Sequence, residues 1–337
     1  MRYLNTVYVT DYEARVRRSK GSLLVSARGT QRRVPLEAID AVVLFGGQMT
    51  IDAIAACVER EVRVACLRRS GSVRFVVGGP QRGNIHLRTA QHAASADPER
   101  SLTIARSIVA GKLQSCRRLL LRWARDADGP IERALRARAD LLADRLGALG
   151  RARHGDHLRG IEGDGARAYF AGMGMVMADS PFPFTERNRR PPRDPVNALL
   201  GFTYGLLVTE VTGALESVGL DHQAGFLHRP RSGRPSLALD LVEELRPVAD
   251  RFVVRTLRRR ELGWDDFTVT PGGATYLSDE GRAKLLRLWE RAKEQPLEHA
   301  LLRRSVERWA LPSVQATLLA RHLRGDLAVY PPFVLPS

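Results

Sequence analysis

Lysine is nearly missing from this chain. Of 53 basic residues in 337, only Lys20, Lys112, Lys284 and Lys293 are lysine; the rest are arginine. Cysteine is scarce as well. Cys57, Cys66 and Cys116 are odd in number and form no Cys-x-x-Cys pair. That excludes a disulfide framework and reads as small buried side chains in a reducing compartment. No apolar run approaches the ~20 residues of a membrane span. No N-terminal signal is visible, because Met1-Arg2-Tyr3-Leu4-Asn5 leads straight into strand-like sequence. The expectation is a soluble cytoplasmic protein with no membrane association. A P-loop is absent, so ATP chemistry is not expected, and neither internal repeats nor low-complexity segments occur. Acid is short too, with 37 Asp and Glu against 53 Lys and Arg, a net charge of +16. Such an excess points to a polyanion partner. Arginine, unlike lysine, forks onto phosphate oxygens bidentately.

What is present reads as an α+β chain of two domains, long enough for real cores. The first is a small, mostly β domain over residues 1–85. Short Val/Leu-rich runs at Leu4–Thr10, Ala14–Arg18, Leu23–Ala27, Ala41–Phe45, Val62–Leu67 and Val73–Val77 predict strands. Ile51–Glu59 predicts a helix started by Thr50. A break at Gly78-Gly79-Pro80-Gln81-Arg82-Gly83 leads to a polar linker, 86–96. A larger all-helical domain over 97–337 follows. Asp97-Pro98 caps its first helix, which includes Ile104–Arg125, with Pro98 at the first position. Further helices are expected at 130–149, 158–178, from Asp194-Pro195 to about 218, and from Ser236 to about 260. Residues 264–277 read as a short β excursion around Pro271-Gly272-Gly273. Helices at 278–294, 298–309 and 312–324 complete the chain.

The stretch from Gly225 to Pro247 carries the densest chemistry. Gly225-Phe226-Leu227-His228 presents one imidazole, and the loop beyond it, with Arg231 and Arg234, is basic. Ser236 reads as the N-cap of a helix whose buried stripe is Leu241, Val242, Leu245, Val248 and Phe252. Asp240, Glu243, Glu244 and Pro247 fall on the other side, and the three acids share a face. An imidazole plus carboxylates is a ligand set for a divalent cation; a solvated acidic first turn is the plain alternative. Elsewhere, Glu162 stands between glycines. Asn197, Gly201 and Tyr204 lie at i, i+4 and i+7 on one helix, with a site role or a core tyrosine both open. A strap with Arg187, Arg189, Arg190 and Arg193 precedes that helix. With Arg231, Arg234, Arg258 and Arg259 it makes a set of candidate phosphate contacts.

Several of these runs together carry a resemblance. They are Ile161-Glu162-Gly163, the Asn197-to-Tyr204 helix, Gly225–His228, Ser236–Pro247 and Ala320-Arg321-His322-Leu323-Arg324-Gly325-Asp326. The chain resembles the CRISPR-associated adaptation endonuclease/integrase family, Cas1, and in detail its subtype I-C branch. The resemblance covers nearly the whole chain in order. It implies a metal-dependent DNA endonuclease, hydrolase and integrase of antiviral defence, active in spacer acquisition. Such an enzyme inserts foreign DNA into a CRISPR array by 3′-hydroxyl transesterification. It implies Mg²⁺ or Mn²⁺ held by Glu162, His228 and Glu243, with Asp240 as a close catalytic helper, and DNA contact by the arginines above with Asn197 and Tyr204. It implies double-stranded DNA partners (prespacer and leader–repeat), a homodimer formed through the β domain, a Cas2 dimer and a Cas4 nuclease. One departure is Asp164-Gly165, where the family more often carries a small apolar pair, and this is expected to loosen the start of the Glu162 helix. The rival readings are a non-catalytic basic nucleic-acid scaffold and a nuclease that hydrolyses without integrating.

Overall fold

The structure, a computed structural model, describes residues 6–79, 85–182, 184–300 and 302–336. Met1–Asn5 and much of the glycine-rich break therefore lie outside the described residues. The N-terminal strands are β1 (Thr6–Val9), β2 (Arg15–Ser19), β3 (Ser22–Ala27), β4 (Thr30–Pro35), β5 (Ala41–Leu44), β6 (Gln48–Met49), β7 (Arg63–Leu67) and β8 (Val73–Val77). Helix α1 (Ile51–Glu59) sits between β6 and β7, and the Thr50 hydroxyl accepts from the Ala53 N–H as its cap. Two four-stranded sheets result. One runs β1-β5-β7-β8, parallel but for β8; the other runs β4-β3-β2-β6. Strand β4 escapes sequence reading because Thr-Gln-Arg-Arg-Val-Pro is polar and mostly exposed, held by pairing to β3.

Strands β5 and β7 are nearly continuous apolar runs because both faces of their sheet are covered. Val42, Leu44 and Val64 join a small core with α1; Val43, Phe45, Ala65 and Leu67 join the large helical core. The alternation of side chains across a strand thus fastens the β region to the helices.

The helical part comprises α2 (Ile85–Ala96), α3 (Pro98–Arg125), α4 (Gly129–Ala148), α5 (Gly155–Met177), α6 (Pro195–Ser217), α7 (Ser236–Arg258), α8 (Asp279–Lys293) and α9 (Leu311–Leu323). Two hairpins interrupt it: β9 (Phe267–Val269) with β10 (Thr275–Leu277), and β11 (Pro296–His299) with β12 (Arg304–Glu307). Three expectations change. Residues 86–96 are helical rather than an open linker, because Leu87, Gln91 and Ala94 bury one face of α2. The helix expected over 298–309 is the second hairpin, in which alternating Leu297, His299 and Val306 turn inward. Ser236 is the first residue of α7 and not its cap; Pro235 holds the cap position, and the Ser236 hydroxyl donates to the Arg229 carbonyl.

Helix α6 is long and apolar enough to cross a membrane by length and composition, which reading for uninterrupted apolar runs overlooked. Two-thirds of its apolar window, 67%, is buried inside the protein, where it packs along α7 and α9 as the central helix of the core. Helix α7 is likewise buried nearly all round: Asp240, Glu243, Glu244 and Pro247 are as enclosed as the apolar stripe. Its acids do not form a solvated face. A helix that buries charge must supply partners for it, and those partners define the site.

Candidate metal centre

The turn at 225–228 is built around one carboxylate. Asp240 accepts the N–H groups of Phe226 at 2.6 Å, Leu227 at 3.0 Å and His228 at 2.9 Å. Its Oδ1 also lies 2.7 Å from His228 Nδ1. Residue 225 has to be glycine, since a Cβ there would stand 2.7 Å from Asp240 Oδ2 and 2.8 Å from the Ser236 backbone. From outside, Gln91 and Ser95 on α2 and Ser101 on α3 bond the carbonyls of Asp221, Ala224, Gly225 and Phe226. Placed against Nδ1, Asp240 Oδ1 can accept an Nδ1–H, the arrangement that leaves the Nε2 lone pair free for a ligand. That nitrogen lies 3.9 Å from Glu243 Oε1.

Glu162 arrives from α5. The helix begins at Gly155, earlier than expected, so Glu162 stands well inside it. Gly165 does not loosen it: a Cβ there would meet Leu113 of α3 at 2.4 Å, so the glycine permits the close approach of α5 to α3. Asp164 pairs with Arg167 on the outer side. That approach brings Glu162 to Lys112, whose Nζ bonds both the Glu162 and the Glu243 carboxylates. Lys112 and Glu243 are buried, while Glu162 keeps 22% of its side chain open. Arg246, one turn on from Glu243, adds a bond of 2.7 Å to Glu243 Oε1.

The electrostatics follow from these contacts. Burial by itself would raise the Glu243 carboxyl, but Arg246, Lys112 and His228 outweigh it and hold the group at about 2. Burial would lower the Lys112 ammonium, yet Glu243 and Glu162 raise it. Lys112 is thus the cation shared by the Glu162 and Glu243 carboxyls. Among the described residues, no three His, Cys, Asp or Glu side chains are grouped closely enough, as they stand, to hold a metal ion. The charge between the two acids is Lys112. The donor chemistry nonetheless fits a divalent cation of the oxygen-preferring kind: two carboxylates and an imidazole with its free nitrogen turned inward, oriented by an acid behind it.

Beyond Glu243 on α7 lies a further buried carboxylate. Asp250 accepts from the hydroxyls of Tyr204 and Tyr169, and burial pushes it up to about 6 against those bonds and the charges of Arg246 and Arg187. Arg246 and Arg187 stack over the Tyr204 ring at 4.8 and 5.5 Å. Tyr204 and Asn197 are thus interior residues, at 8% and 0% exposure, which removes both from the proposed DNA-contact surface. The Asn197 amide instead stitches the strap, accepting from Arg187 and the Asn188 N–H and donating to the Glu186 carbonyl and Asp194. Arg187 is turned inward with it. Arg189, Arg190 and Arg193 are exposed, as are Arg231, Arg258 and Arg259, and Arg234 is half-buried. Arg258 and Arg259 stand about 22–24 Å from Glu243 along α7, at 1.5 Å per residue.

Sequence reasoning missed Lys112, Arg246 and Asp250. For Lys112 a signal existed: a lysine in an arginine chain, set in the apolar stripe Ile108, Leu113, Cys116 of α3.

A small mixed sheet region fused to a helical core, with imidazole and paired carboxylates gathered around a buried cation in a chain of +16, defines a class: a basic protein with a candidate centre for phosphate chemistry. The family is shown by comparison. Residues 7–291 match the family model for CRISPR associated protein Cas1, and the chain belongs to that family. It is 44% identical to a Rhodospirillum rubrum protein named CRISPR-associated endonuclease Cas1 2, over 98% of each chain. Its fold matches a Thermotoga maritima CAS1 protein at a TM-score of 0.83 and 23% identity, covering 99% of both chains. It also matches a chain described as a Cas6-RT-Cas1–Cas2 complex, at 0.83 and 21% identity, covering 99% of this chain and 36% of that one.

Proposed function

We propose that this protein is a divalent-metal-dependent DNA endonuclease and integrase of CRISPR adaptation, joining foreign DNA to a leader–repeat target by 3′-hydroxyl transesterification. The observation that carries the reading is that Glu162 and Glu243, from two helices far apart in sequence, share the Lys112 ammonium, while the His228 imidazole on its loop stands 3.9 Å from Glu243. These three residues would hold Mg²⁺ or Mn²⁺. When bound, such an ion supplies stabilisation of the deprotonated 3′-oxygen and polarisation of the attacked phosphate. Asp240 fixes the His228 tautomer and holds the loop that presents it. Arg246 and Lys112 balance the buried negative charge. The 3′-oxygen forms the new P–O bond, the target strand's P–O bond breaks, and the departing 3′-oxygen takes a proton. One ester replaces another, so no nucleotide triphosphate is consumed.

Family membership and the resemblance to the subtype I-C branch support the rest: a homodimer formed through the β region (1–85), a catalytic helical region (97–337), a Cas2 dimer and a Cas4 nuclease as partners, prespacer and leader–repeat duplexes as substrates, and action in the cytoplasm. The exposed arginines Arg189, Arg190, Arg193, Arg231, Arg258 and Arg259, with Arg234, suit duplex phosphates, which position DNA without reading its sequence.

The test is strand transfer into a labelled leader–repeat duplex with partner protein and Mn²⁺. Glu162→Ala, His228→Ala and Glu243→Ala should each lower joining by at least about a hundredfold, the scale on which perturbed metal sites fail. His228→Ala hardly changes net charge, so its DNA affinity should stay near wild type. Full joining by folded His228→Ala, or joining undiminished in EDTA, would overturn the metal-site assignment, and duplex binding without any joining by the wild type would move the protein to the scaffold reading.

A further inference from the structure

Arginines gather at a second place, away from the candidate metal centre, where among the described residues no ion pair ties them to an acid. Arg251 and Arg255 lie one turn apart on α7; Arg308, from the short 3-10 turn that precedes α9, lines a pocket with Val248 and Phe252 of α7; and the charge of Arg122 on α3 bears on Arg251. All four are half-buried. Among the described residues no carboxylate forms an ion pair with any of them, although most of the carboxylates near the centre are paired. The Nε atoms of Arg255 and Arg308 are buried without a hydrogen-bond partner. Arg255 has only the edge of its charge over the Phe252 ring, at 5.8 Å. The like charges press on one another: burial with Arg251 and Arg255 pushes Arg308 down to about 10, and burial with Arg122 and Arg255 pushes Arg251 down. Burying unpaired cationic groups is unfavourable. A fold that keeps four of them together is incomplete without an anion from outside.

We propose that Arg122, Arg251, Arg255 and Arg308 form a seat for the phosphate backbone of DNA, separate from the metal centre and from the strap. The proposal rests on the DNA-acting reading above and adds a contact region to it. Arg251 and Arg255 lie about 12 and 18 Å beyond Glu243 along α7. That span corresponds to roughly four or five nucleotides of a duplex strand at 3.4 Å each. Four guanidiniums from three elements make a site for successive phosphate oxygens, and the chemistry is indifferent to base sequence.

The experiment uses the full-length protein and a duplex oligonucleotide, with binding measured across a salt series. Arg255→Gln and Arg308→Gln should each lower the slope of log affinity against log salt by about one. Arg255→Lys and Arg308→Lys should retain it. Without DNA, the Gln variants should melt at the wild-type temperature or above, because repulsion is relieved; a purely structural arginine would lower it. Mn²⁺ binding should be unchanged. An independent arm needs no variant: duplex DNA should protect Arg255 and Arg308 of the wild type from phenylglyoxal, read by mass spectrometry, while inorganic phosphate at equal phosphate concentration protects weakly. Wild-type DNA binding with an unaltered salt slope in the Gln variants, or no protection by DNA, overturns the seat. If the wild type binds no duplex at all, the functional reading falls first, so the two failures are distinguishable. Equal protection by inorganic phosphate and DNA would make it a site for a free anion, and that also overturns the proposal.

Discussion

Helix α7 has two halves that treat charge in opposite ways. In the first, taken as far as Asp250, the acids Asp240, Glu243, Glu244 and Asp250 are all buried, and each is met by partners from other parts of the chain. Asp240 holds a loop, Glu243 faces Lys112 and Arg246, and Asp250 binds two tyrosines. Glu244 accepts from the Tyr330 hydroxyl, the Phe333 N–H and the Gln315 amide. In the second half, Arg251 and Arg255 are half-buried, and among the described residues neither has an ion pair; the charges that bear on Arg251 are those of Arg122 and Arg255. The difference teaches where each region finds its counter-charge. The acids are satisfied within the fold and so are held in place before any ligand arrives. The arginines wait for charge that the chain does not supply.

The strongest way to break this comparison is to remove the internal counter-charge. Lys112→Met should leave Glu162 and Glu243 without their shared ammonium, with Arg246 and the His228 imidazole beside Glu243. Removing one partner of a buried ion pair costs about 3–5 kcal/mol, so the metal-free variant should melt far below wild type. Mn²⁺ should restore much of that loss, since a ligand that binds only the folded state stabilises it by mass action. Calorimetric melts of both proteins with EDTA and with Mn²⁺ check this. A Lys112→Met protein as stable as wild type in EDTA would mean the two carboxylates are not held by that ammonium.

A smaller effect should come from the acid that touches no reacting group. Asp240→Asn preserves shape but replaces one acceptor oxygen by a donor, so it spoils either the His228 Nδ1 contact or the backbone bonds at 226–228. Residues that orient a metal-binding imidazole typically weaken metal affinity by about 10–100-fold when changed. Titration calorimetry with Mn²⁺ should show a loss in that range, below the loss in Glu243→Ala. Affinity equal to wild type would show that the His228 tautomer does not need Asp240.

Much of this was legible in the sequence, and the parts that were not share a cause. Thr50, Asp97 and Asp194 announced their helices because a cap acts on the residues next to it. Gly225, His228, Asp240 and Glu243 fall within one turn and helix, so their spacing exposed the cluster. Asn197 and Tyr204 were read correctly as sharing a helix, but the spacing could not say that the shared side faces inward, where Asp250 and the strap wait. Lys112 and Glu244 are explained only by residues at great sequence distance: Glu243 lies 131 positions from Lys112, and Phe333 lies 89 from Glu244. The β11–β12 hairpin misled because apolar residues at 297, 302, 306 and 309 suit a helix almost as well as two short strands.

Glu244 offers the finest probe, because its partners are neutral. Burial pushes its carboxyl up from 4.5 to about 8, against the bonds from Tyr330, the Phe333 N–H and Gln315. A carboxyl raised on folding keeps its proton in the native state over a range where the unfolded chain has released it. Its stabilising contribution is therefore full below about pH 4.5 and is lost as pH rises towards 8. Asp250, raised to about 6, acts in the same sense lower down, so the interval above about pH 6.5 belongs mainly to Glu244. The wild type should lose stability there by at most about 1.4 kcal/mol per pH unit. Glu244→Gln cannot ionise and should flatten that fall while keeping the side-chain volume that packs against the C-terminal segment. Melts at about pH 6.5, 7.5 and 8.5, in EDTA so that metal binding adds nothing, read the slope directly. Should the wild-type melting temperature hold constant across that interval, or the Gln variant fall as steeply, then Glu244 is ionised in the fold. The first half of α7 would then contain a buried anion without a cation, the mirror image of its second half.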